Sequence, residues 1–99
     1  MLKGYKEIVK SHDFRHRYLY DENNNRVGVI VLLRGEENGI KKYSVGYSIC
    51  SRLESNFNKE LGKAIAILRA KSPKTDIDKI PNKFKNQVEK KLPTMYVKY

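Results

Sequence analysis

Residues Tyr43 to Ala70 read YSVGYSICSRLESNFNKELGKAIAILRA. Period two governs the first part. Tyr43, Val45, Tyr47 and Ile49 share one side, while Lys42, Ser44, Gly46 and Ser48 share the other. Such alternation marks a half-buried strand, here spanning Ile40 to Cys50. A polar loop, Ser51 to Asn56, follows. The period then changes to that of a helix, from about Asn58 to Lys71. Phe57, Leu61, Ala64, Ile65 and Leu68 form an apolar stripe, with Lys59, Lys63 and Ala70 opposite. Asn56 or Asn58 can cap the first turn. Ser72-Pro73-Lys74 ends the helix, because proline cannot continue it.

Working outward, Phe14 to Tyr20 is a further strand. Phe14, His16, Tyr18 and Tyr20 point one way, and Arg15, Arg17 and Leu19 the other. DENNN at Asp21–Asn25 is a turn, since Asn and Asp tolerate left-handed backbone and bond their own main chain. Val27 to Arg34 is apolar on both faces, which places it at the centre of the sheet. Arg34 to Gly39 is a second hairpin loop. Downstream, TDIDKIP connects to a second helix from Pro81 to about Lys91. Phe84 and Val88 face inward, with Leu92 one turn on, and Pro93 stops the helix. TMYVKY adds an edge strand or lies as a tail. Leu2, Tyr5, Ile8 and Val9 give residues 1–11 the spacing of a short helix, or the segment is an extended arm. The fold class expected is α+β: a three-stranded antiparallel meander with two C-terminal helices packed on one face and the other face open.

Ninety-nine residues are read as one domain with a small core. The longest apolar run, Val27 to Leu33, falls far short of the roughly 18–20 residues of a membrane span. MLKGYKEIVK has no hydrophobic segment behind its charges and reads as no secretory signal. A lone cysteine, Cys50, allows no intrachain disulfide and fits a reducing, cytoplasmic setting. The charge is +10, from 21 Lys and Arg against 11 Asp and Glu. A field of that sign favours polyanions and speeds their encounter.

Chemistry-bearing motifs are few. The helix entrance from Asn56 to Lys63 joins unpaired N–H groups to two lysines four residues apart, an arrangement suited to phosphate. Gly62, Ala66 and Ala70 form a strip nearly free of side chains, along which a backbone or flat ligand could approach. An ordinary amphipathic helix with a solvated lysine face presents the same pattern. His12 and His16 have metal-pair spacing, but no third ligand accompanies them, so no metal and no cofactor is expected. No acid–base set for catalysis can be read, so the chain is expected not to be an enzyme. Neither GxxxxGK nor GxGxxG occurs. Seven tyrosines and three phenylalanines either stack bases or fill the core.

The run Gly46-Tyr47-Ser48-Ile49-Cys50, then Phe57-Asn58-Lys59, Gly62-Lys63-Ala64-Ile65-Ala66 and Arg69-Ala70, resembles a pattern of short bacteriophage proteins. There a strand ending GxxxC leads to FxKxxGKxIAxxRA. The resemblance covers about a third of the chain. It implies a phage accessory protein, and such small proteins often counter host defence, as nuclease inhibitors or as sponges for signalling nucleotides. In topology the chain is also similar to the double-stranded-RNA-binding domain, with three antiparallel strands before a lysine-fronted helix. It departs from that domain in its lysine pattern and in the basic segment after Pro81.

The function expected is therefore non-enzymatic binding of a phosphate-bearing ligand, nucleic acid first and a signalling nucleotide second. The contacts expected are Lys59, Lys63 and Arg69 on the first long helix, with Arg15, Arg17 and Lys42 on an exposed sheet face. A nucleotide pocket is often built between symmetric copies, so a homo-oligomer is one arrangement allowed. The alternative is a protein–protein inhibitor of a host defence enzyme. No membrane partner is expected.

Overall fold

A computed structural model describes residues 4–50, 58–72 and 79–99. Helix α1 is Tyr5–Ser11; strands β1, β2 and β3 are Asp13–Tyr20, Arg26–Glu37 and Ile40–Ile49; helices α2 and α3 are Lys59–Lys71 and Asn82–Met95. The strands form one antiparallel sheet in the order β1-β2-β3. This is the expected meander followed by two helices, and β2 holds the centre.

The turns obey local chemistry. Asp21 Oδ1 accepts from the backbone N–H groups of Asn23 and Asn25, both at 2.9 Å, and Asn24 takes φ 62°. In the β2–β3 hairpin, Asn38 and Gly39 take φ 53° and 77°. Two consecutive positive φ values match the right-handed twist of the flanking strands. Asn58 caps α2, its Oδ1 accepting from Leu61 N–H at 3.1 Å. Asn56 and Phe57, the other cap candidate and the first residue of the expected stripe, lie outside the described residues.

The helices do not share a face. On one side of the sheet, Val29, Val31 and Leu33 pack with Ala66, Ile67 and Ala70 of α2, flanked by Ile8, Phe14 and Tyr18. On the other, Leu19, Ile30 and Leu32 pack with Ile80 and with Phe84, Val88 and Met95 of α3. The expectation of one covered and one open face is thereby corrected. The reason is β2, whose alternate residues put apolar side chains on both faces, so each face needs a cover.

The rotation of α2 also differs from the apolar stripe. Gly62, Ala64, Ala66, Ile67 and Ala70 are buried, Leu61 and Ile65 are half-buried, and Leu68 is 39% exposed. The small residues face β3 because Gly46 lets the helix backbone come close. A Cβ added there would run into the Ala66 carbonyl oxygen and lie 2.5 Å from the Ala70 nitrogen. The strip read as a landing place for a ligand is occupied by the protein's own strand.

Helix α3 continues through Pro93 to Met95, past the expected stop. Proline removes one backbone donor in the last turn, where Thr94 Oγ1 donates to the Lys91 carbonyl at 2.6 Å, and buried Met95 holds the turn against the core. The last residues add no strand. They fold back, and Tyr99 lies between Arg15 and Arg34, whose guanidinium carbons stand 4.3 and 4.7 Å from its ring centre.

Candidate functional site

Strand β1 is an edge, and its outer rim is met from both faces. From α3, Gln87 accepts from Tyr20 N–H at 2.9 Å and donates to Tyr20 C=O at 2.7 Å. One turn on, Lys91 Nζ donates to Tyr18 C=O at 2.7 Å. These bonds occupy main-chain groups that an edge strand would otherwise offer to another chain. On the opposite edge, Arg69 of α2 does the same for β3, donating to Tyr47 C=O at 3.0 Å.

The plugging of β1 gathers cations around two rings. Arg26, at the start of β2, lies over the Tyr18 ring at 4.4 Å, and Lys63 Nζ reaches within 6.0 Å of the same ring from α2. Lys91 Nζ lies 4.7 Å from the Tyr20 ring centre. Arg17 alternates to the α3 side of β1, exposed, with Nη1 donating to His16 C=O at 2.8 Å. His16 sits between Phe14 and Tyr18, with ring centres 6.0 and 5.2 Å away. Its pKa is lowered from the ordinary 6.5, first by burial, then by Lys63 and Arg17, against an opposing pull from Glu60. Lys91 is likewise lowered from its ordinary value, by burial and then by Arg17. Burial is the larger cause of both shifts, and a neighbouring cation adds to each. Cations crowd one another along this rim, and an anion placed there would relieve the repulsion.

Acidic neighbours are scarce. Lys63 Nζ pairs with Glu60 at 3.3 Å. Arg17, Arg26 and Lys91 make no ion pair among the described residues.

The six residues expected to bind phosphate do not converge. Arg17 and Lys63 both reach the β1 rim, but Lys63 points toward the sheet, its side chain only 14% exposed. Lys59 is exposed at the first position of α2. Arg69 is committed to the β3 edge. Lys42 pairs with Glu37 at 2.6 Å near the hairpin tip. Arg15 is taken up by the C-terminal segment, donating to the carbonyls of Met95 at 3.0 Å, Val97, and Lys98 at 3.4 Å. By register, Arg15 and Arg17 stand on the α3 side and Lys42 on the α2 side, so they share no open face.

Arg26 and Lys91 escaped the sequence reading. Gln87 and Lys91 stand four apart beside the Phe84–Val88–Leu92 stripe, the spacing at which polar side chains rim a helix contact. Arg26 directly follows the turn, cross-strand from Tyr20. Both signals were present but needed the register.

His12 is not paired with His16. Its Nδ1 lies 2.8 Å from Ile8 C=O and its Nε2 3.2 Å from Lys71 Nζ, tying α1 to α2. Among the described residues, no group of three or more His, Cys, Asp or Glu could hold a metal ion. Nor is any described helix long and apolar enough to cross a membrane. No protein-family model, curated protein or solved structure matches the chain.

Proposed function

We propose that the chain is a non-catalytic binder of a phosphate-bearing ligand, with nucleic acid ahead of a signalling nucleotide, acting through the β1 rim. One observation carries the reading. Arg17, Arg26 and Lys91 converge from three elements onto one edge, beside the largely buried Lys63 that pairs with Glu60. An open rim suits an extended polyanion better than a small nucleotide, which needs a concave pocket. Within the phage-type accessory role that the sequence resemblance implies, such binding in the host cytoplasm would serve counter-defence by occupying nucleic acid.

The test is titration of the protein into labelled oligonucleotides by fluorescence anisotropy over a range of salt. Affinity is expected to fall linearly with log salt, with a slope of about 0.7–0.9 per phosphate neutralised. Arg17→Gln with Arg26→Gln should flatten the slope while leaving the fold intact by circular dichroism. Lys42→Gln should leave it unchanged. Absence of binding at low salt with a folded protein would end this reading.

A second reading has its own support. Beside α3 runs a groove of about 710 Å³ lined by Ile80, Val88, Leu92, Pro93 and Tyr96, with Lys85 and Glu89 at its rim. An apolar groove with mixed charge at its edge suits a protein partner, as an inhibitor of a host enzyme would require. Pull-down with Leu92→Glu as the control would separate the two.

A further inference from the structure

Each tyrosine ring along the β1 rim already has a cation at it. Tyr18 is covered by Arg26 at 4.4 Å and approached by Lys63 at 6.0 Å, and His16 meets it edge-on. Lys91 lies over Tyr20. A base stacking on these rings would compete with cations that the rings themselves attract. The main chain is equally committed where α3 crosses it. Tyr20 N–H, Tyr20 C=O and Tyr18 C=O are bonded to Gln87 and Lys91. Those groups would otherwise read the edge of a base by hydrogen bonding. The exposed aromatics Tyr43 and Tyr96 stand elsewhere, edge-to-face with each other. Tyr43 pairs with Arg34, eight residues along β2 from Arg26. At the rise of a strand that is roughly 26 Å away.

The cations behave differently from the rings. A guanidinium lying over a ring keeps its N–H donors in its own plane, free to point outward. A lysine ammonium likewise keeps donors beyond the one it spends on a carbonyl. The rim is thus rich in charged donors and poor in groups left for bases.

We infer that this edge reads the sugar–phosphate backbone of a nucleic acid alone, without stacking on or hydrogen bonding to bases, so that its binding is blind to sequence. The inference rests on the β1 rim being the binding surface, as proposed above. Phosphate contacts position a protein on a strand but carry no sequence information.

The experiment compares the wild-type protein on an intact oligonucleotide, on others of different base composition, and on a fully abasic oligonucleotide of the same length. The expected result is affinities equal within about twofold and the same salt slope for all, since that slope reports phosphates alone. Arg26→Gln should weaken intact and abasic binding by the same factor. Stacking of even one base would be worth about tenfold. A preference of that size for the intact strand, or for one base composition, overturns the inference while the rim remains the binding surface. Failure to bind any of them at low salt removes the binding reading itself. Tyr18→Leu gives an independent check: any loss in a folded variant is expected to fall equally on intact and abasic strands, and a tenfold loss that spares abasic binding would overturn the inference.

Discussion

The two faces of the sheet are covered by different kinds of surface. On the α2 side, Gly46, Ala66 and Ala70 bring helix and strand backbones close, with little side-chain bulk between them. On the α3 side, Phe84, Leu19, Ile30 and Met95 fill the space with large, fully buried side chains. The thin contact leaves Lys63 and Tyr18 at its margin, beside the β1 rim. The thick contact sends Gln87 and Lys91 around the edge to meet them. The proposed site lies where the two covers meet, and neither face alone would place these cations together.

That contrast can be broken most sharply at Phe84. Phe84→Ala should cost about 3–5 kcal/mol, as a large buried ring lost from a core does. Chemical denaturation would measure it, and a loss below 1 kcal/mol, small for any core position, would show that α3 is not the thick cover described. On the other face the sensitivity should invert. Gly46→Ala adds a single methyl, yet overpacking against backbone should cost about 3 kcal/mol. If Gly46→Ala melts like wild type, α2 has room that the geometry denies it.

A smaller test separates two arginines on the α3 side of β1. Arg15 serves the carbonyls of the C-terminal segment and stacks on Tyr99, while Arg17 bonds a carbonyl of its own strand. Arg15→Ala should cost about 1–2 kcal/mol through hydrogen bonds left unmade. Arg17→Ala should stay within about 0.5 kcal/mol, as exposed changes do. Equal losses would mean that Arg17 is structural and would weaken its place at the rim. The Tyr99 hydroxyl donates to Asp13 Oδ1 at 2.7 Å, with its pKa raised by burial first and by that bond second. Tyr99→Phe should therefore destabilise less than Arg15→Ala.

The smallest effect lies at His16. Its folded pKa is depressed below 6.5, so near and below that value the unfolded chain binds more protons than the native one. Stability contributed by the neutral ring is present above the unfolded pKa and is lost as pH falls toward the folded one. Wild type should lose more stability than His16→Gln on going from about pH 7 to about pH 5. Asp13 and Asp21 are also depressed, but from 3.8, so their losses fall at lower pH. Parallel pH profiles for the two proteins would show that neither burial nor the neighbouring cations disfavour the charged ring.

Much of this architecture is legible without coordinates. Two-sided apolarity puts β2 at the centre and alternation sorts β1 and β3, while the hairpin loop expected over Arg34 to Gly39 tightens to a turn at Asn38 and Gly39 because β2 runs on to Glu37. Asn58 caps the helix whose extent the periodicity gives. These are local facts, because backbone sterics and side-chain alternation act over a few residues. Which helix covers which face, and how α2 is rotated, depend on partners far along the chain. An apolar stripe points α2 toward Leu61 and Leu68, but the close approach allowed by Gly46 turns its alanines inward instead. The same holds for charge. The sequence alone establishes an excess of ten positive charges. Only the tertiary structure spends Arg15 on the C-terminal segment, Arg69 on a strand edge and Lys42 on Glu37, and gathers Arg17, Arg26, Lys63 and Lys91 along one rim. Composition fixes how many cations there are; their availability is decided by which carbonyls, rings and carboxylates the fold sets within reach.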